Sequence, residues 1–329
     1  MLSVLLCSFF AYSFPVFANE ELIIGGDSIG IQVGYDGVLI TGTYTITIDN
    51  ELYDPGTVLQ QGDIIKEVDG KKIQNLSELY EAINSYQNPS NEIPIRIERK
   101  GNIIDVTLKT VYDSSTSTYK SGLYVKDKIM GVGTLTYYNP TNQTYGALGH
   151  EIIDTDLKQI AQIYEGTIYP SSVTSITKAQ ESIAGEKHAT IDFSTEIGNI
   201  MKNTNIGIYG HFYDAPSQNL KMEWANKEEV QEGPATIYTT LQDSQIEEFH
   251  IQITKVHKQQ QSSVKGIEFE IVDEALLAKT NGIIQGMSGS PIVQNNKIIG
   301  AVTHVITSKP STGYGVFIEW MLQESDSIE

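Results

Sequence analysis

From Leu123 to Ile318 the sequence is a run of short β-type segments broken by turns, and this pattern restricts the fold more than any other feature of the chain. The segments "GVGTLTYYNP", "GALGHEIID", "GNIMKNTNIGIYG", "EEFHIQITKV", "IEFEIV", "SPIVQNNKIIGAVTHV" and "GYGVFIEW" follow one another at close spacing. Only one helical stretch, around Glu274 to Lys279, interrupts them. Strands this short and this numerous predict a barrel or a sandwich. The 329 residues, 40% of them apolar and 9% aromatic, suffice for two domains with real cores.

The first residues are different in kind. An apolar run from Leu2 to Ala18 ends in Val16-Phe17-Ala18 ahead of Glu20 and Glu21, as a secretory signal does, although no basic residue precedes it. Residues 1–18 are expected to be a signal peptide or an uncleaved membrane anchor. No later apolar run approaches membrane length, so the body should be soluble and exported. The single cysteine, Cys7, lies in the leader, and a mature chain without cysteine forms no disulfide and no thiolate metal site. No His-x-x-x-His spacing offers a zinc site either, so neither metal nor cofactor is expected. With 41 acidic against 22 basic residues, a formal charge of −19, and no basic stripe, nucleic acid is not an expected partner.

Residues 28–112 read as one small α/β module. Apolar residues alternate through Val38, Ile40, Tyr44, Ile46 and Ile48, then at Ile93, Ile95 and Ile97 and at Ile104, Val106 and Leu108, with Lys100-Gly101-Asn102 turning the last pair into a hairpin. Between them, Asn75 as N-cap, Glu78 three later, and Leu76, Leu79, Tyr80 and Ile83 predict a short amphipathic helix. With "GTVLQQGDIIKEVDGKKI", this order of parts is similar to the PDZ domains of bacterial exported proteases. The resemblance implies a groove in which an extended peptide adds a strand, with its carboxylate-binding loop near Ile29, Gly30 and Ile31. The Ser/Thr-rich stretch 113–122 reads as a linker, which leaves 123–329 for the β-rich domain.

Serine catalysis needs a hydroxyl on a sharp turn, a base in reach, and N–H donors aimed at the developing oxyanion. "GMSGSP", Gly286 to Pro291, can supply the first and third, with the N–H groups of Gly286 and Ser288 as the oxyanion hole. A hairpin reversing at Asn295-Asn296 follows it. The base should be a histidine, whose ordinary pKa lies near working pH. Of the six, His150 stands among small residues where a strand ends; His250 and His257 read as structural or solvated, His211 as a weaker rival, and His304 as lining the cleft. Ser290, ahead of Pro291, suits a turn hydrogen bond better than attack.

Together, "GALGHEIIDTD", "GNIMKNTNIGIYG" and "GIIQGMSGSPIVQNNKIIGAVTHV" resemble the SpoIVB peptidase family of endospore-forming bacteria. The resemblance implies a mainly β fold, the PDZ-like module followed by a trypsin-like double β-barrel. It implies catalytic His150 and Ser288, and Asp273 as the acid behind the base; Asp192 also suits the chymotrypsin order, while Asp154 and Asp156 stand so near His150 that they read as turn residues. The activity implied is an exported serine endopeptidase acting between the forespore and mother-cell membranes. It would cut itself and a membrane-bound regulator and so trigger sigma-factor precursor processing. The competing expectation is a PDZ scaffold with a degenerate barrel; a purely structural coat or intermembrane component is the third.

Overall fold

The computed structural model describes residues 21–86, 92–214 and 220–328; the expected leader, 1–18, lies outside them. The fold is mainly β. After β1 (Leu22–Ile24), β2 (Ser28–Thr43) runs for 16 residues. The α/β module follows, built from β3 (Ile64–Val68), α1 (Leu76–Ser85), β4 (Glu92–Arg99) and β5 (Asn102–Lys109). Its helix starts where the capping pattern places it: Asn75 Oδ1 accepts from the Glu78 N–H at 2.9 Å, and Glu78 reaches back to the Gln74 N–H. Leu79, Ala82 and Ile83 face the core, whereas Leu76 and Tyr80 are exposed, so the buried stripe is narrower than the sequence periodicity suggests. Lys100 and Gly101, both at positive φ, make the expected hairpin turn between β4 and β5.

Beyond it come β6 (Leu123–Asn139), β7 (Thr144–Ala147), β8 (Glu165–Thr177), β9 (Gly185–Ile191), β10 (Gly198–Asn199) and β11 (Gly207–His211). Strands β2, β6, β7, β11, β10 and β8 pair in that order and β8 returns to β2, with a bridge from Gly198 to Phe212 completing the ring. This is a closed barrel. The second barrel holds β12 (Gly233–Gln242), β13 (Gln245–Val256), β14 (Ile267–Ile271), α2 (Glu274–Thr280), β15 (Ile284–Gln285), β16 (Pro291–Gln294), β17 (Lys297–Val305) and β18 (Thr312–Phe317). Its ring runs β12, β13, β14, β18, β17, β16 and back to β12. Alternation builds it: Ile267, Phe269 and Ile271 point inward while Glu268 and Glu270 point out. Closure leaves no free edge in either ring.

Three expectations need correction. The boundary at residue 28 does not hold, because Ser28–Gly34 pairs with β6 on one side and β8 on the other inside the first barrel, while Val38–Thr43 serves the α/β module. One continuous strand pair, β2 with β6, therefore runs through both modules. Second, Ile29, Gly30 and Ile31 cannot form a carboxylate-binding loop. They are buried with both strand edges paired, and a Cβ on Gly30 would lie 2.4 Å from the Ile191 side chain. Third, residues 113–122 are not a plain linker: Val111–Asp113 and Thr118–Lys120 pair as a hairpin. After β18 comes a helix, α3 (Ile318–Asp326), which fills the seam between the barrels with Ile318, Met321 and Leu322. No helix of the described residues is long and apolar enough to cross a membrane.

Candidate active site

Gly286 to Ser290 makes a tight turn between β15 and β16. Gly286 and Gly289 have φ of +89° and +94°, a region that side chains resist. A Cβ on Gly289 would stand 2.1 Å from the Thr134 carbonyl oxygen and 2.5 Å from the Leu148 nitrogen, so glycine is what allows the turn to lie against the first barrel. Three bonds from β6 then fix it: Thr134 Oγ1 donates to the Gly286 carbonyl at 2.7 Å, the Thr134 N–H to the Ser288 carbonyl at 3.1 Å, and Thr136 Oγ1 to the Gly289 carbonyl at 2.8 Å. Inside the turn the Met287 carbonyl accepts from the Ser290 N–H. Because N–H and C=O of one peptide point oppositely, the Ser288 N–H is directed away from the turn's interior, as an oxyanion donor must be.

Ser288 is half-buried, and its hydroxyl donates to the Thr303 carbonyl at 2.9 Å. Ser290 is wholly buried and its hydroxyl has no partner among the described residues, so no substrate can meet it. The two serines thus have different surroundings despite standing one glycine apart.

The loop after β7 carries His150 to this turn. Leu148 and Gly149 both take positive φ, and a Cβ on Gly149 would be 3.0 Å from both Thr303 Cγ2 and the Val302 carbonyl oxygen. Close approach at Gly149 sets the loop directly on β17, the strand that also receives the Ser288 hydroxyl. The rings of His150 and His304 stand 5.4 Å apart. His150 Nδ1 lies 2.8 Å from the Glu151 carbonyl; with Nδ1–H as the donor, Nε2 is left unprotonated, the form a base requires. Burial, and then the repulsion that two protonated rings so close would feel, hold the His304 imidazole below its ordinary value. Asn203 ties the loop down, accepting from the Ile152 N–H and donating to the Ile152 and Ala161 carbonyls.

The acids lie elsewhere. Asp273 caps α2: one carboxylate oxygen accepts the Ala275 and Leu276 N–H groups, and the other meets the N–H and ring of exposed His250. Burial raises this carboxyl, but the backbone donors at Leu276 and His250 outweigh it and keep it low. Its partner is therefore His250, in place of the expected His150. Asp192 is exposed and closes a turn with Ser194 and Thr195, which hold its carboxyl below the usual range. Asp154 is buried against Lys126, Tyr35 and the backbone of Asp156 and Leu157. The group that orients His150 is thus a backbone carbonyl, which no side-chain pattern can signal. Thr134, Thr136 and Thr303 also escaped the sequence reading, because threonine in a strand is an ordinary β-former.

Among solved structures, the PDZ domain of an SdrC-like protein from Listeria monocytogenes is 22% identical over 28% of this chain and 90% of its own, with a TM-score of 0.22. The Rv3671c protease from Mycobacterium tuberculosis in its active form is 11% identical over 61% of this chain and 76% of its own, with a TM-score of 0.34; its inactive form is 11% identical over 58% and 81%, also at 0.34. No curated protein matches the chain. The family profile described as SpoIVB peptidase S55 matches residues 117–322, which take in the first barrel from β6 onward, the whole second barrel, the His150 loop and the Ser288 turn. The chain belongs to the SpoIVB peptidase S55 family and is a serine peptidase.

Proposed function

We propose that Ser288 is the nucleophile and His150 the general base of this peptidase. The observation that carries the reading is the contact of Gly289 with the Leu148 backbone, which seats the serine turn of one barrel beside the histidine loop of the other. Ser288 Oγ attacks the scissile carbonyl as its proton passes to His150 Nε2, and the carbonyl of Glu151 steadies the resulting imidazolium through Nδ1–H. The N–H groups of Gly286 and Ser288 receive the oxyanion. Collapse expels the amine, which takes the proton from His150, and water then releases the acyl group by the same steps reversed. Substrates are proteins or peptides. The apolar leader supports export or membrane anchoring, and the family's sporulation name supports a place between forespore and mother cell and a signalling role in which the enzyme cuts itself and a membrane-bound regulator.

A second reading, a degenerate barrel serving a PDZ scaffold, draws on the Ser288 hydroxyl resting against Thr303. Labelling with a fluorophosphonate, followed by intact mass, separates the two. Wild type and Ser290→Ala are expected to take one label and Ser288→Ala none. His150→Asn should slow labelling by about a thousandfold or more, and His304→Asn by less than about tenfold. Labelling of Ser288→Ala at the wild-type rate, or a larger loss from His304→Asn than from His150→Asn, would overturn the assignment.

A further inference from the structure

One buried titratable group lies directly beneath the Ser288 turn and takes no part in the chemistry just described. Lys187, on β9, is 3% exposed. Strand β9 runs parallel to β15, the two residues that lead into Gly286. A Cβ on Gly286 would stand 3.1 Å from Lys187 Cβ and Cδ, so the lysine stem is packed against the turn itself. Its amine is 2.8 Å from Thr239 Oγ1 and 3.5 Å from Thr134 Oγ1. Thr134 is the residue whose hydroxyl donates to the Gly286 carbonyl and whose N–H donates to the Ser288 carbonyl.

We propose that Lys187 is a positioning residue for this turn: its amine holds the Thr134 hydroxyl, which holds the Gly286 carbonyl, so that the Gly286 and Ser288 N–H groups stay aimed at the cleft. The inference rests on the assignment of Ser288 given above. Hydrogen-bond direction supports it. Thr134 spends its one hydroxyl proton on Gly286, so only its lone pairs remain for Lys187. A neutral amine can accept the Thr239 proton and donate to Thr134; an ammonium has three donors and no acceptor, so it reverses the Thr239 bond and places a charge under the turn.

Burial alone brings Lys187 down to about 7, with no charged neighbour contributing. The groups that face it are the hydroxyls of Thr134 from β6 and Thr239 from β12; on its own strand Glu186 and His188 point outward to solvent. A buried amine without a carboxylate partner disfavours the fold, so what it contributes is the orientation of the hydroxyls it touches.

The test compares wild type with Lys187→Met, which keeps the stem and removes the amine, and with Thr134→Val, which breaks the relay. Fluorophosphonate labelling of Ser288 is followed from pH 5.5 to 9, alongside the amide NMR signals of Gly286 and Ser288. Both variants are expected to label about tenfold to a hundredfold more slowly at pH 8, while Lys187→Met melts at the wild-type temperature or above. Wild-type Gly286 and Ser288 amides should shift with a midpoint near pH 7 that vanishes in Lys187→Met; the cleft histidines are present in both proteins and cancel in the difference. Unchanged labelling and an unchanged pH profile in Lys187→Met would overturn the proposal, as would amides that titrate alike in both proteins. If wild type takes no label while the amide titration disappears in the variant, Lys187 still positions the turn and it is the Ser288 assignment that falls.

Discussion

Lys187 also leaves a mark on stability, and its sign follows from linkage. The amine titrates near 7 in the folded chain and near 10.5 when unfolded, so between those values the unfolded chain holds more protons. The penalty for burying the lysine is thus complete below about pH 7 and is relieved as pH rises toward 10.5, at about 1.4 kcal/mol for each pH unit. Lys187→Met carries no such penalty. In denaturant titrations at pH 6.5, 8 and 9.5 it is expected to exceed wild type most at pH 6.5, with the gap narrowing as pH rises. A gap that stays constant would mean that the lysine is charged in the folded protein.

At the scale of elements, α2 shows how one aspartate reads differently in sequence and in space. Asp273 precedes the helix as an N-cap, with Asn281 ending it at φ 56°. Asp273→Ala is expected to cost about 1 kcal/mol of stability, whereas Asp273→Asn, which still caps, costs a few tenths. Labelling of Ser288 should stay within about threefold in Asp273→Asn, against the roughly ten-thousandfold loss that follows when a triad acid is replaced by its amide. A loss of that size would return Asp273 to the catalytic group. Threonine on β6 is the opposite case: Thr134 and Thr136 look like strand filler, yet their hydroxyls fix the Gly286 and Gly289 carbonyls of the serine turn.

Across the whole molecule, the strand pair β2–β6 makes the α/β module and the first barrel one mechanical unit. Ser28–Gly34 supplies a ring strand between β6 and β8, so a fragment of residues 123–329 lacks a stave of its barrel. That fragment should be unfolded by circular dichroism and gel filtration. Joining Gly34 to Lys128, which face each other in the ladder, through an Asn-Gly turn should instead give a folded body without the α/β module. If the 123–329 fragment folds unaided, the shared strand is not needed. Contacts between the module and the His150 loop, through Tyr35 and Lys126 with Asp154, would be lost in the joined chain. Its labelling rate therefore reports how far the module steadies the active site.

The sequence by itself determined the class of elements, since alternation of isoleucine with polar residues, the Asn295-Asn296 turn and the Asn75 cap are local physics acting over a few residues. Glycine spacing and the proline likewise mark, in the chain itself, the sharp turn that carries Ser288 and Ser290. The tertiary structure alone decided which groups meet. Asp273 faces His250 because β14 pairs with β13 in a register that sets Ile271 against Ile251, and His150 is oriented by a peptide carbonyl that every residue carries and no residue type reveals. Ile29 to Ile31 lie inside a barrel because ring closure uses both their edges, a long-range pairing no local pattern encodes. Lys187 shows the same limit: one lysine in an ordinary strand, it gains its meaning only when β9 is laid beside the residues that lead to Ser288.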